Sequence, residues 1–159
     1  MRIIAVVIVL TLCGTFYLRR DAVGLRTIPP STIAWTLQRN GVERTRPTLI
    51  IYVTTTCPYC EELLKRIAKS PALRDSAESN SLSVLILSNK ARSVSLPGLI
   101  PARPVIRFRV DEDGSMAESL HVSKVPLTIS LQRNGSVAPA TVGLLSQAAI
   151  DSLLKASRP

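Results

Sequence analysis

The chain has 159 residues, three cysteines and a formal net charge of +9. That length supports one domain with a substantial core, and so few cysteines in so long a chain exclude a disulfide-scaffolded mini-protein. The basic surplus does not mark a nucleic-acid binder, because aromatic residues make up only 4% of the chain. Its arginines are scattered and form no aromatic-plus-basic platform.

The chain opens with "MRIIAVVIVLTLCGTFYLRR", in which no charged residue falls between Ile3 and Leu18. As a helix that stretch would span ~24 Å, short of a ~30 Å hydrocarbon core, and snorkelling of Arg2, Arg19 and Arg20 would extend it. It is apolar all round, which suits a membrane rather than a soluble core. The nearest approach to a small-residue cleavage pattern, Cys13-Gly14-Thr15, is poor. Residues 1–20 are therefore expected to be an uncleaved signal anchor, a transmembrane helix, rather than a cleaved signal peptide. Leu12 before Cys13 departs from the lipoprotein pattern, so Cys13 is expected to be a small apolar side chain in the membrane. Arg19 and Arg20 follow the segment, so the positive-inside rule alone does not place the rest of the chain outside. That placement rests on the thiol chemistry below.

Residues 21–46 read as a tether and a short helix. Ser31 is expected to cap that helix, with Ile33, Ala34 and Leu37 on one face and Asn40-Gly41 ending it. From residue 47 the pattern is that of the main domain, 47–159. Pro47 precedes "TLIIYV", a continuous β-branched apolar run suited to a central strand buried on both faces. The strand runs through "TTT" into Cys57, and Pro58 follows at a position favoured in the first turn of a helix. Leu63, Leu64, Ile67 and Ala68 then recur at helical spacing. Cys57 is thus expected at the amino end of a helix, where free N–H groups and the helix dipole favour a thiolate. Cys60 sits one turn deeper, placed to attack a mixed disulfide formed at Cys57. Glu61 and Glu62 suit the dipole but oppose the thiolate.

Beyond the helix, "SLSVLILS" reads as a second buried strand and "SVSLPGLIPARP" as a loop. "VIRFRV" alternates as a third strand, with Arg107 and Arg109 on one face and Ile106, Phe108 and Val110 on the other. "DEDGSMAESLHV" is a turn into a short helix, and "PLTISLQRNGSVAPATV" reads as strand, Asn-Gly turn and strand. "LSQAAIDSLLKAS" closes the chain as a helix capped by Ser146, with Leu145, Ala148, Ala149 and Leu153 at helical spacing.

A strand running into C-x-x-C at a helix start suggests a thioredoxin-like fold. The stretch "IIYVTTTCPYC" resembles the glutaredoxin active site, but the chain after it is too long, and the Gly-Gly…Asp segment of that family is absent. The stretch "VDEDGSMAESLHVSKVPLTISLQRNGSV" resembles the TlpA-like branch of membrane-anchored bacterial thioredoxins. The matching positions are Asp113-Gly114, His121-Val122, Pro126 and Asn134-Gly135, with His121 where that family usually has glycine. Ile51 stands where thioredoxins bury an acidic residue near the cysteines. The resemblance implies an α/β thioredoxin-like fold, a central mixed β-sheet flanked by helices and preceded by the transmembrane helix. It implies a thiol–disulfide oxidoreductase with Cys57 and Cys60 catalytic. Pro58, Tyr59, Val125 and a cis Pro126 would face the substrate. It also implies no cofactor, protein thiol or disulfide substrates, a redox partner that recycles the dithiol, and a periplasmic domain on a bacterial inner membrane. The direction of electron flow stays open.

Other chemistries fit less well. Zinc needs about four ligands, and the chain offers Cys57, Cys60 and one histidine, His121. Copper held by Cys57, Cys60 and His121 is the alternative, since the ligand types match, although copper-delivery relatives usually space their cysteines by three residues. Thr54 stands three before Cys57 as in peroxiredoxins, but Ile50 replaces their proline. A structural disulfide closing so short a loop would stabilise little.

Overall fold

A computed structural model describes residues 27–79, 82–89 and 106–156. The expected anchor at 1–20 and the proline-rich loop before the third strand lie outside the described residues. Among the described residues, no helix is long and apolar enough to cross a membrane.

The elements are α1 (Pro30–Arg39), β1 (Thr48–Val53), α2 (Pro58–Lys69), α3 (Pro71–Ser79), β2 (Ser83–Ser88), β3 (Ile106–Val110), α4 (Ser115–Ser119), β4 (Leu127–Leu131), β5 (Thr141–Val142) and α5 (Gln147–Ala156). They build one mixed sheet in the order β3-β2-β1-β4-β5. β1, β2 and β3 are parallel, while β4 runs antiparallel to β1 and to β5. The apolar run of β1 is buried along its whole length, as expected for a strand covered on both faces.

Strand alternation divides the core in two. On one face Leu49, Ile51 and Val53 pack with Leu63, Leu64 and Ile67 of α2 and with Ile150 and Leu154 of α5. On the other, Ile50 and Tyr52 pack with Ile33 and Leu37 of α1 and with Met116 and Leu120 near α4. β3 alternates as its sequence indicates, with Ile106 buried and both arginines exposed.

Three local expectations are corrected. α1 begins at Pro30, and Ser31 lies inside it, with no side-chain cap. Proline's fixed φ suits the first helical position, so the helix starts two residues earlier than a Ser31 cap would place it. α3, which was not among the expected elements, follows α2 directly: Pro71 starts it, and the Ser70 carbonyl accepts from Leu73 and Arg74. α5 does take Ser146 as its cap, whose hydroxyl accepts from the Ala149 N–H at 3.2 Å. Its fully buried pair is Ile150 and Leu154; Leu145 and Leu153 of the expected stripe pack beside them, partly buried, while the alanines offer less apolar area to remove from water. Finally, the strand after the Asn-Gly turn is broken into a bridge at Val137 and the two residues of β5. Pro139 between them cannot donate to a ladder.

Candidate active site

β1 ends at Val53 and the chain turns through Thr54–Thr56 to Cys57, the N-cap of α2. Pro58 occupies the first helical turn, where its missing N–H costs nothing. Cys57 and Cys60 are joined by a disulfide with a Cα–Cα distance of 5.2 Å. The Cys60 N–H donates to the Cys57 sulfur at 3.1 Å, so the orphan donor of the helix start is aimed at the atom that would carry the charge in a thiolate.

The two sulfurs are not equivalent. Cys60 is 1% exposed and packs with the α2 face of the sheet, whereas Cys57 is only partly buried. An incoming sulfur can therefore reach Cys57 and not Cys60. Tyr59 projects beside the pair at 62% exposure, and Pro58 is exposed too.

The stretch before β4 lies against this helix start. The carbonyl oxygen of Val125 is 3.9 Å from the Cys57 sulfur, a contact in the oxidised form because a disulfide sulfur has no proton to donate. The Val125–Pro126 peptide bond is cis. The Pro126 carbonyl accepts from the Gly143 N–H at 2.8 Å, which fixes the next loop against the same edge. All six residues named from the sequence, Cys57, Pro58, Tyr59, Cys60, Val125 and Pro126, thus belong to these two facing segments.

His121 does not join them. It ends α4 with φ 51, its N–H donates to Glu118 O at 2.9 Å, and Val122 N–H donates to Ala117 O at 2.8 Å. This is a helix C-terminal motif in which glycine usually takes the left-handed position. Among the described residues no three of His, Cys, Asp and Glu could hold a metal ion together, so copper through Cys57, Cys60 and His121 is not favoured.

Two polar features were not singled out in the sequence. Asp111 accepts from the Tyr52 hydroxyl at 2.9 Å, from Met116 N–H at 3.0 Å and from Ala117 N–H at 2.8 Å. Burial, and then Asp111, push the Tyr52 phenol well above its ordinary value of 10.0. An Asp four residues before a short helix was the available signal. The second is Thr128, a buried hydroxyl with no hydrogen-bond partner among the described residues. Its signal was the pair of polar residues inside the otherwise apolar β4 sequence.

Residues 38–158 match the family described as thioredoxin-like domain. The chain belongs to that family. Solved structures similar to this thioredoxin-like chain include StoA from Bacillus subtilis, with a TM-score of 0.52 and 16% identity over 70% of this chain and 84% of that one. A thiol:disulfide interchange protein of the thioredoxin family from Chlorobium tepidum has a TM-score of 0.57 and 13% identity, over 72% and 81%. A secreted Mycobacterium tuberculosis disulfide oxidoreductase has 0.53 and 14%, over 70% and 82%. At these identities the likeness is one of fold. Among curated proteins the sequence has no match.

Proposed function

We propose that this thioredoxin-like chain is a thiol–disulfide oxidoreductase that exchanges electrons with partner proteins through Cys57 and Cys60. The observation that carries the reading is the disulfide at the start of α2, with one accessible and one buried sulfur. Two structural neighbours, a disulfide oxidoreductase and a thiol:disulfide interchange protein, support it.

In the reducing direction the Cys57 thiolate attacks a substrate disulfide. It forms a mixed disulfide and expels one substrate thiolate, which takes up a proton. Deprotonated Cys60 then attacks the Cys57 sulfur, closing the Cys57–Cys60 disulfide and releasing the second substrate thiolate. Val125, Pro126, Pro58 and Tyr59 form the wall against which the substrate segment lies. The oxidising direction runs the same steps backwards, and a redox partner restores the starting form. The chemistry needs no cofactor.

The domain works outside a bacterial inner membrane, tethered by the apolar segment at 1–20. The tether rests on the segment's composition, and the placement on the thiol chemistry of Cys57 and Cys60, which suits an oxidising compartment.

Full-length protein assayed for insulin-type disulfide reduction should be active, and Cys57→Ser inactive. Cys60→Ser should accumulate mixed disulfides with its natural partner. A reduction potential near ~−270 mV would mark a reductase, and one near ~−120 mV an oxidant. No exchange, together with a one-to-one copper complex that His121→Ala abolishes, would overturn the reading. The tether is tested by alkaline carbonate extraction, and the side by a reporter fused after Pro159. A soluble form starting near residues 15–20 would show cleavage, and activity of a cytoplasm-only reporter would refute the placement.

A further inference from the structure

Thr128 is 2% exposed, and its hydroxyl is the buried side-chain oxygen or nitrogen left without a hydrogen-bond partner among the described residues. Its neighbours on β4, Leu127 and Ile129, belong to the core on the α1 and α4 side. By alternation Thr128 points the other way, towards α2.

The register says where. Thr128 pairs with Ile51 across the β1–β4 ladder, and directly opposed residues of an antiparallel pair share a face. Ile51 packs in the same cluster as Cys60. Thr128 also lies two residues beyond Pro126, whose stretch faces the Cys57 sulfur. Its hydroxyl is therefore set into the apolar floor beneath the cysteine pair, beside the position that Ile51 fills with hydrocarbon.

A buried hydroxyl without a partner costs stability, so an orphan in one state invites a partner in another. Here the cysteines are joined, and neither sulfur carries a charge. Reduction by two glutathione thiols breaks the Sγ–Sγ bond, forms one glutathione disulfide and passes two electrons and two protons to the pair. Cys60 then becomes a buried thiol in apolar surroundings, a setting that raises the energy of its thiolate. Glu61, Glu62 and Arg66 of α2 and Asp151 of α5 are engaged elsewhere: Glu61 is paired with Lys65 and Glu62 with Arg66, Arg66 also donates to Leu145 O, and Asp151 accepts from Ser70.

We propose that Thr128 is a positioning residue for the exchange reaction, whose hydroxyl, unpartnered in the disulfide form, donates directly or through one water to the Cys60 sulfur once the pair is reduced. This rests on the proposed thiol–disulfide function, but its test does not need a partner protein. The hydroxyl favours the reduced form and eases the deprotonation of Cys60 that releases substrate.

Equilibrating the full-length chain with glutathione buffers and trapping thiols with an alkylating agent gives the reduction potential, whether or not insulin is reduced. A hydrogen bond to an uncharged thiol is worth about fivefold in an equilibrium constant, and one to a thiolate on the order of tenfold. Thr128→Val, equal in shape and lacking the hydroxyl, should therefore be about fivefold more reducing, ~20 mV lower. In a Cys57→Ser background, the pH at which Cys60 becomes reactive should rise by about one pH unit in Thr128→Val. Thr128→Ser should restore both readouts. Thr128→Ser against Thr128→Ala repeats the comparison on a smaller side chain, should valine fail to pack. A valine variant that gains thermal stability but keeps the wild-type potential and Cys60 pH profile overturns the proposal, since the hydroxyl would then be a packing defect alone. Failure of insulin reduction with the potential shift intact would count against the enzyme and not against Thr128.

Discussion

Removing the Asp111 carboxylate should cost more stability than any other single polar change in the described structure, while leaving the dithiol chemistry alone. Asp111 is 1% exposed and holds the Tyr52 hydroxyl and two N–H groups at the start of α4. Asp111→Ala strands a buried phenol, at ~1–3 kcal/mol, and strips a helix start of its acceptor, at ~1 kcal/mol. Together these come to about 3 kcal/mol against a total stability of ~5–15 kcal/mol. Tyr52→Phe leaves the carboxylate with its two amides and should cost about 1–2 kcal/mol. Urea titration followed by circular dichroism should show both midpoints falling at unchanged slope, Asp111→Ala further than Tyr52→Phe. The pair also has a pH signature. The folded state holds the Tyr52 proton above the pH at which the unfolded chain releases it, around 10.0. Its contribution is therefore complete below that pH and lost as pH rises beyond it, and Tyr52→Phe should lack that share of the alkaline decline. Tyr52 faces the core opposite the cysteines, so neither variant should change the reduction potential. Equal losses for the two variants, or an Asp111→Ala midpoint indistinguishable from wild type, would refute the reasoning.

Three further outcomes are expected. After reduction, Cys57 should alkylate faster than Cys60 at neutral pH, because it is the accessible sulfur and receives the Cys60 N–H; mass spectrometry showing Cys60 labelled first would reverse their roles. Asp151 accepts from Ser70 and Gln147, and the Ser70 bond first of all holds its carboxyl below the ordinary 3.8. Its contribution is thus present above that pH and lost on acidification, so Asp151→Asn should flatten the acid limb of a stability–pH curve. His121→Gly relieves a left-handed residue of a ~1 kcal/mol penalty and should raise the thermal midpoint by a few degrees without changing exchange.

The parts of the fold legible in the sequence were those where one periodicity dominated. β1 shows as an unbroken β-branched run and α2 as Leu63, Leu64 and Ile67. The cysteine pair was legible because Pro58 marks a helix start and the strand runs directly into it. Less legible were the places where one residue serves two elements. Ser70-Pro71 looks like a stop and is also a start. Pro139 breaks a strand that composition alone extends. Val125 and Pro126 were placed by family resemblance, since nothing local brings residues so distant in sequence against Cys57. Thr128 is visible as a polar residue inside a strand, but its relation to Cys60 exists only once the β1–β4 register is known.

The outermost strand on the β4 side is two residues long and is preceded by a proline. A full-length outer strand would offer a row of free amide and carbonyl groups to any extended peptide, including another copy of this chain. A two-residue strand offers little to add to. The shortened margin thus guards against strand-by-strand association from that side of the sheet.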